Sequence, residues 1–417
     1  MMSSQQTTSF RFKPPRVAIT PEIRWVLVRG FGPTGAVLSG NQGQPDPNLA
    51  FYYAFRLGLA PRIATRIPAK QQQYELGVEF ARQLEISRLA AVSLERCVED
   101  TARAVAEIAA ERAIPLVFTN HIALQLFGGL VEGSRVCEDI DVLVPVTRVK
   151  ELHEMLQVHG LSWYCPSGSL SHFADFECDA RAAVESRVHI PAFGFDRDRA
   201  FATADALLAS GLVVRTDALP GNAWIPEVAI SLAHVIAHGF TRRCDRPGCS
   251  PLVRMISDVI DLSATQDSEI QAFLCHGRLA DRMSLFEVRA VCLLAQALRE
   301  GRDPEDLPRG SPSLLLLDHM LASILYPDYE QSQRFDFVGP DPTVRSRLRA
   351  RLDRVLRALL PNQAQPIYRG SGSQLAWVAL RLHCPVDAFF CLHQSHCQCR
   401  FSSSATSTAS AVHADQE

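Results

Sequence analysis

Residues 135–145, RVCEDIDVLVP, place two aspartates, Asp139 and Asp141, at the head of an apolar run. A short apolar run that ends in a proline predicts a β-strand. Side chains alternate between the faces of a strand, so both aspartates are expected on one face, which continues with Leu143. The opposite face then carries Ile140, Val142 and Val144.

Two like charges at this spacing repel unless a cation lies between them. Mg²⁺ or Mn²⁺ would resolve the repulsion, because both ions prefer oxygen ligands. Asp139 and Asp141 are therefore predicted metal ligands. The alternative is an edge strand whose acidic face is simply solvated, and the aspartate pair alone does not decide between the two.

The composition is that of a globular protein with a sizeable core. The chain has 417 residues, of which 47% are hydrophobic and 21% charged, and it carries a formal net charge of −3. This length predicts two or three domains. The near-neutral balance lacks the basic footprint of a protein that binds nucleic acid non-specifically.

The chain shows no targeting or membrane signal. Its first residues, MMSSQQTTSFRFKPP, are polar, and no window approaches 18 uninterrupted apolar residues. We therefore expect a cytoplasmic location, no membrane partner, and reduced thiols at the twelve cysteines.

Hydrophobic periodicity predicts an α+β fold in which a core of alternating strands and helices is flanked by helical parts. The predicted segments are a disordered start (1–20), a helical region (21–110), the core (111–225), a second helical region (226–360) and a Cys/His-containing tail (361–417). Strands are predicted in IPLVF, DIDVLVP, HFADFE, AAVESRVHI and GLVVRTDALPGNAWIP. Helices are predicted in PDPNLAFYYAFRLGL, IALQLFGG and TRVKELHEMLQVHGL, and a long one begins at an N-cap Ser93, with Glu95 in its first turn.

The run IPLVFTNHIALQLFGGLVEGSRVCEDIDVLVP resembles the nucleotidyltransferase superfamily that contains DNA polymerase beta. More closely, it resembles a large uncharacterised bacterial family with a strand ending in Lys-Gly, a helix, an arginine and Asp-Ile-Asp on the next strand. The helix positions that match include Ala123 and Leu124, and Arg135 stands before the acidic pair. The resemblance implies a minimal polymerase beta-like nucleotidyltransferase core.

The resemblance continues in order along the chain. VESRVHI stands where the family has a Val-Glu-Leu-His strand, which would make Glu185 a third carboxylate. The family's paired histidines fall on His234 and His238, and its Arg-x-x-x-Asp-Leu helix falls on Arg254 and Asp258. It implies Mg²⁺- or Mn²⁺-dependent transfer of a nucleoside monophosphate from a nucleoside triphosphate, ATP among the candidates, to an unknown acceptor hydroxyl.

Two departures from this pattern leave alternatives open. The family's Lys-Gly falls on Asn120 and His121, which by resemblance would line the triphosphate together with Arg135, or Arg135 would orient the aspartates. The pair Gly128-Gly129 offers a second alignment of the glycine turn, although a helix C-terminus explains it better. A catalytically weakened homologue that binds a nucleotide or a partner is therefore the alternative function.

Other chemistry-bearing residues give weaker signals. Asp175, Glu177 and Asp179 could replace Glu185 as the third carboxylate, and His234 and His238 share one helix face. Zinc ligands are a further possibility at two places, although neither has the spacing of a known zinc motif. These candidates are Cys244 and Cys249, and the C-terminal cluster Cys384, Cys391, His393, His396, Cys397 and Cys399.

Overall fold

The computed structural model describes residues 14–35, 43–164, 172–177, 182–187, 189–196, 199–241, 250–266 and 282–326, together with Ser268. Within these ranges the protein is mixed α+β, which confirms the predicted fold class at that level. Several predicted features lie outside the described residues. They are residues 1–13 of the disordered start, Asp179, the zinc candidate Cys244/Cys249, residues 327–360 of the second helical region, and the C-terminal segment 361–417 with its Cys/His cluster.

Five helices precede the first strand. They are α1 (Pro21–Phe31), α2 (Pro47–Arg56), α3 (Ala60–Arg66), α4 (Ala69–Leu76) and α5 (Val78–Ala110). The starts of α1 and α2 follow the same local rule, in which a polar side chain at the N-cap, Thr20 or Asp46, accepts backbone N–H groups and a proline follows at the first helical position.

The predicted start of the long helix at Ser93 is wrong. Helix α5 begins at Val78, runs for 33 residues, and carries Ser93 exposed in its middle. The break lies instead at Gly77, whose φ of 90° ends α4. A cap at Ser93 would interrupt the buried stripe of α5, which continues through Leu84, Ala91, Val98, Ala102 and Val105.

The central part of the chain builds the sheet. Its elements are β1 (Leu116–Phe118), α6 (Asn120–Leu126), β2 (Asp139–Leu143), α7 (Val149–Val158), β3 (Ser162–Tyr164), β4 (His172–Glu177), β5 (Ala183–Arg187), β6 (His189–Asp196), β7 (Arg199–Thr203), α8 (Ala204–Ser210), β8 (Val213–Arg215) and β9 (Ala223–Pro226). The predicted strands are thus confirmed. Helix α6 ends at Leu126, and Gly128 follows its C-cap residue with a φ of 74°, which confirms the helix C-terminus predicted there.

Seven strands form one mixed sheet in the order β3-β4-β5-β2-β1-β9-β8, and β6 pairs with β7 separately. Strand β2 runs antiparallel to β1 and parallel to β5. The two faces of β2 enter different cores, as the alternation predicts. Ile140, Val142 and Val144 pack with α5 and α7, whereas Leu143 packs with α8 and α9. The aspartates of β2 therefore belong to the α8–α9 face.

In the described part of the chain, four helices with described bounds follow the sheet: α9 (Val228–Thr241), α10 (Pro251–Thr265), α11 (Arg282–Arg299) and α12 (Pro312–Leu325). Their apolar residues join those of α1–α4 and the first turns of α5 in one large core. The later turns of α5 belong to the core beneath the sheet. Among the described helices, none combines the length and apolarity needed to cross a bilayer.

Candidate functional site

The register of the sheet brings the acidic positions of the sequence into one row. Asp141 of β2 lies directly opposite Glu185 of β5, and Glu185 lies opposite Asp175 of β4. Directly opposed residues occupy the same face of a sheet. Positions 141, 185 and 175 therefore share the α8–α9 face, and Asp139 lies two residues along β2 on that face.

The exposure of the two aspartates differs. Asp141 is only 4% exposed, whereas Asp139, at the start of β2, is partly exposed. The side chains of Glu185 and Asp175 lie outside the described part of the structure. Among the side chains that it does describe, no group of three potential metal ligands occurs. The backbone thus places Glu185 beside Asp141, and Asp175 beside Glu185 in the same row.

Asn120 links the end of β1 to the buried aspartate. Its carboxamide Nδ2 donates to Oδ2 of Asp141, and the N–H of Thr119 donates to the carbonyl oxygen of Asp141 at 3.0 Å. Asn120 has a φ of 51°, a left-handed conformation that asparagine tolerates better than most residues. The turn after β1 therefore takes its left-handed residue at Asn120, whereas the family alignment places the glycine at His121.

His121 points into the protein instead of lining an open turn. The residue is 2% exposed, and neither ring nitrogen has a hydrogen-bond partner among the described residues. Burial, assisted by the nearby positive charges of Arg135 and Arg254, lowers the pKa of His121 to about 3. The imidazole is therefore neutral at physiological pH. Its burial gives no support to the predicted contact between this side chain and a nucleotide.

Glu95 lies beside His121 and holds the loop that leads to β2. Its Oε2 accepts the N–H of Gly133 at 2.6 Å, and its Oε1 lies 3.7 Å from Nε2 of His121. Burial raises the pKa of Glu95 above its ordinary value. The predicted place of Glu95 in the first turn of a helix is wrong, because α5 begins at Val78 and Glu95 lies on its buried stripe. Its spacing from Ala91 and Val98, four and three residues, was the signal in the sequence.

Arg135 is bound to helix α10 rather than directed at a ligand. Its Nη1 donates to Oδ1 of Asp258 at 2.6 Å, and its side chain is only 13% exposed. One residue later, the carbonyl oxygen of Val136 accepts from Nη2 of Arg254 at 3.0 Å. These contacts favour the orienting role over the phosphate-binding role for Arg135. Burial raises the pKa of Asp258 to about 6, although the nearby Arg135 and Arg254 oppose the rise.

A small cavity of about 30 Å³ lies between α3, α10 and residues 134–136, with Arg62, Arg135 and Arg254 in its wall. Arg62 binds both carboxylate oxygens of Asp261 at 2.7 Å and the carbonyl oxygen of Gly30 at 2.7 Å. Sequence reasoning missed the pair Arg62–Asp261 because 199 residues separate its members. The cavity has room for one or two water molecules, which is too little for a nucleotide.

The paired histidines of α9 lie close together, with their rings tilted by 35° to each other. The rings of His234 and His238 lie 5.6 Å apart, and His234 is 1% exposed. Within the described part of the chain, neither belongs to a group of three possible metal ligands.

Comparison with models of known protein families gives no match, and no curated protein matches the chain in sequence. What the site can do chemically must therefore be argued from its own geometry. Partly exposed Asp139 beside buried Asp141, with further carboxylate positions on the next two strands, is a set of oxygen donors suited to a hard divalent cation.

Proposed function

We propose that the protein is a metal-dependent nucleotidyltransferase with a polymerase beta-like core in residues 111–225. The observation that carries the proposal is the register of β2 and β5, in which Asp141 lies opposite Glu185 and both share a face with Asp139. Carboxylates grouped on adjacent strands can hold the divalent cations on which phosphoryl and nucleotidyl transfer depend. The resemblance of the sequence around DIDVLV supports the same assignment.

The donors fit Mg²⁺ or Mn²⁺. Asp139 and Asp141 would hold the cation, and the carboxamide of Asn120 fixes the orientation of the Asp141 carboxylate. The bound cation would offset negative charge on the triphosphate and on the reacting oxygens. Two carboxylates on one strand face, one of them as buried as Asp141, repel each other, and a cation bound between them would offset that repulsion.

In the proposed reaction, the acceptor hydroxyl oxygen forms a bond to the α-phosphorus of the nucleoside triphosphate. The bond between that phosphorus and the bridging oxygen to the β-phosphate breaks, and pyrophosphate leaves with the bond's electron pair. Glu185, or Asp175 opposite it, would take the proton of the acceptor hydroxyl. Arg135 would keep the strand start in place through Asp258 instead of contacting phosphate.

A second candidate function is nucleotide or partner binding without turnover. The observation that favours it is the altered turn after β1, where Asn120 and buried His121 replace the Lys-Gly of the resembled family. Without that lysine, the turn lacks a positive charge for the triphosphate. This candidate predicts metal-dependent nucleotide binding with no release of pyrophosphate.

The test is calorimetry of each of the four nucleoside triphosphates, with and without Mg²⁺, on the wild type and on Asp139→Asn/Asp141→Asn. A matched control is Asp100→Asn/Asp217→Asn, which makes the same charge change at two exposed aspartates away from β2. We expect Mg²⁺-dependent binding by the wild type and the control and none by the Asp139/Asp141 variant. Equal binding by all three proteins, or none by the wild type, would rule out a working site at β2. Pyrophosphate release, assayed on the wild type, then separates the enzyme from the binding protein.

A further inference from the structure

Helix α10 holds the segment before β2 through two contacts, which we call the α10 bridge: Arg135–Asp258 and Arg254–Val136. Arg254 and Asp258 stand four residues apart on the helix and therefore share one face. Their partners are consecutive residues of the chain, and Asp139 begins β2 three residues after Val136. The α10 bridge thus fixes the backbone immediately before the first proposed metal ligand.

The segment held by the α10 bridge also has contacts with its own neighbours and with α5. Residues 134–138 belong to no helix or strand. Cys137, buried at 2% exposure, directs its thiol at the carbonyl oxygen of Asp139. At the N-terminal end of the segment, Gly133 is held by Glu95. The start of β2 therefore depends on contacts with α5 and α10.

Helix α10 is itself anchored to α3 by a second ion pair, which lies on the same face. Asp261, three residues beyond Asp258, is held by both terminal nitrogens of Arg62 on α3. The two ion pairs of α10 are buried to a similar degree, with side-chain exposures of 13% and 4% for Arg135–Asp258 and of 5% and 14% for Arg62–Asp261. Of these two ion pairs, only Arg135–Asp258 includes a residue of the segment before β2.

We propose that Arg254 and Asp258 are positioning residues for the Asp139–Asp141 metal site and act through residues 135 and 136. The inference rests on the proposed function, because it assigns these residues a task in the same site. Side chains that orient metal ligands without touching the metal typically change metal affinity by 10- to 100-fold when they are substituted. Asp258→Asn keeps the size of the side chain and one acceptor oxygen but removes the charge that holds Arg135.

The experiment measures two quantities in full-length wild type, Asp258→Asn and the control Arg62→Lys. The first is the Kd for Mn²⁺ alone, by electron paramagnetic resonance of the free ion. The second is hydrogen exchange of peptides that cover residues 134–143. Arg62→Lys keeps the positive charge but breaks the fork contact of an equally buried pair on the same helix, so it lowers stability without removing a hydrogen bond of the segment. Arg254→Lys is the second variant if Asp258→Asn does not fold.

We expect Asp258→Asn to weaken Mn²⁺ binding about 10-fold and to speed exchange in residues 134–141, with neither change in Arg62→Lys. Unchanged exchange in Asp258→Asn would overturn the inference, as would Mn²⁺ affinities that fall equally in both variants. If the wild type binds no Mn²⁺ while exchange still rises only in Asp258→Asn, the proposed function fails. In that outcome the α10 bridge keeps its role in positioning the start of β2.

Discussion

Substitution of Gly133 by alanine tests how closely the loop before β2 packs against α5. Gly133 has a φ of 73°, and a Cβ atom built there would lie 2.5 Å from Cγ2 of Val92. The left-handed backbone costs an L-residue about 1–2 kcal/mol. Forcing the extra methyl group against α5 adds about 1–3 kcal/mol, as overpacking in cores does. We therefore expect Gly133→Ala to lower the free energy of unfolding by about 2–5 kcal/mol.

The matched control is Gly128→Ala. Gly128 has nearly the same φ, 74°, but no described atom lies within 4 Å of a Cβ built on it. Its substitution should cost only the backbone part, about 1–2 kcal/mol. Urea unfolding of both variants gives the difference between their free energies of unfolding directly when their m-values are equal. Equal destabilisation of the two variants would refute the steric argument. It is also refuted if adding Val92→Ala to both variants does not reduce the difference between their free energies of unfolding.

Two further predictions concern His121 and Ser93. Between pH 7 and pH 5 the unfolded chain protonates His121, with its ordinary pKa of 6.5, whereas the folded chain, with a pKa of about 3, does not. The contribution of His121 to the free energy of unfolding therefore falls by about 2 kcal/mol as the pH drops from 7 to 5. His121→Asn should flatten the pH dependence of urea unfolding by that amount, and parallel curves would contradict a buried neutral imidazole. Ser93→Ala should raise stability by a few tenths of a kcal/mol, roughly the helix-propensity difference, because Ser93 lies exposed inside α5. A loss of about 1 kcal/mol in thermal unfolding would instead indicate a helix cap at Ser93.

The local part of the site could be predicted from the sequence. Alternation along DIDVLV predicts that Asp139 and Asp141 share a face and that Ile140 and Val142 enter a core, and the structure confirms the burial of both. Such predictions succeed because the period of a strand is fixed by backbone geometry. The helix C-terminus at Gly128 could also be predicted from local sequence, since a glycine after an apolar helical run usually ends the helix.

Contacts between distant parts of the chain could not be predicted in this way. The pair Arg135–Asp258 spans 123 residues, and nothing in the local pattern of either residue indicates that the other is its partner. The helix start predicted at Ser93 is wrong for a related reason. Serine favours N-cap positions, but the buried stripe of α5 continues on both sides of Ser93. Tertiary packing decided the outcome there, because residues of the α5 stripe are buried on both sides of Ser93, at Ala91, Glu95 and Val98.

The length of α5 has a mechanical consequence. At 33 residues the helix is about 50 Å long, and it contributes its early turns to the helical core and its late turns to the core beneath the sheet. A continuous helix resists bending in its middle, because every turn is held by its own hydrogen bonds. Helix α5 is therefore a single element that both cores share. Heat or denaturant that loosens one core removes support from the other, so we expect both to melt in a single cooperative step.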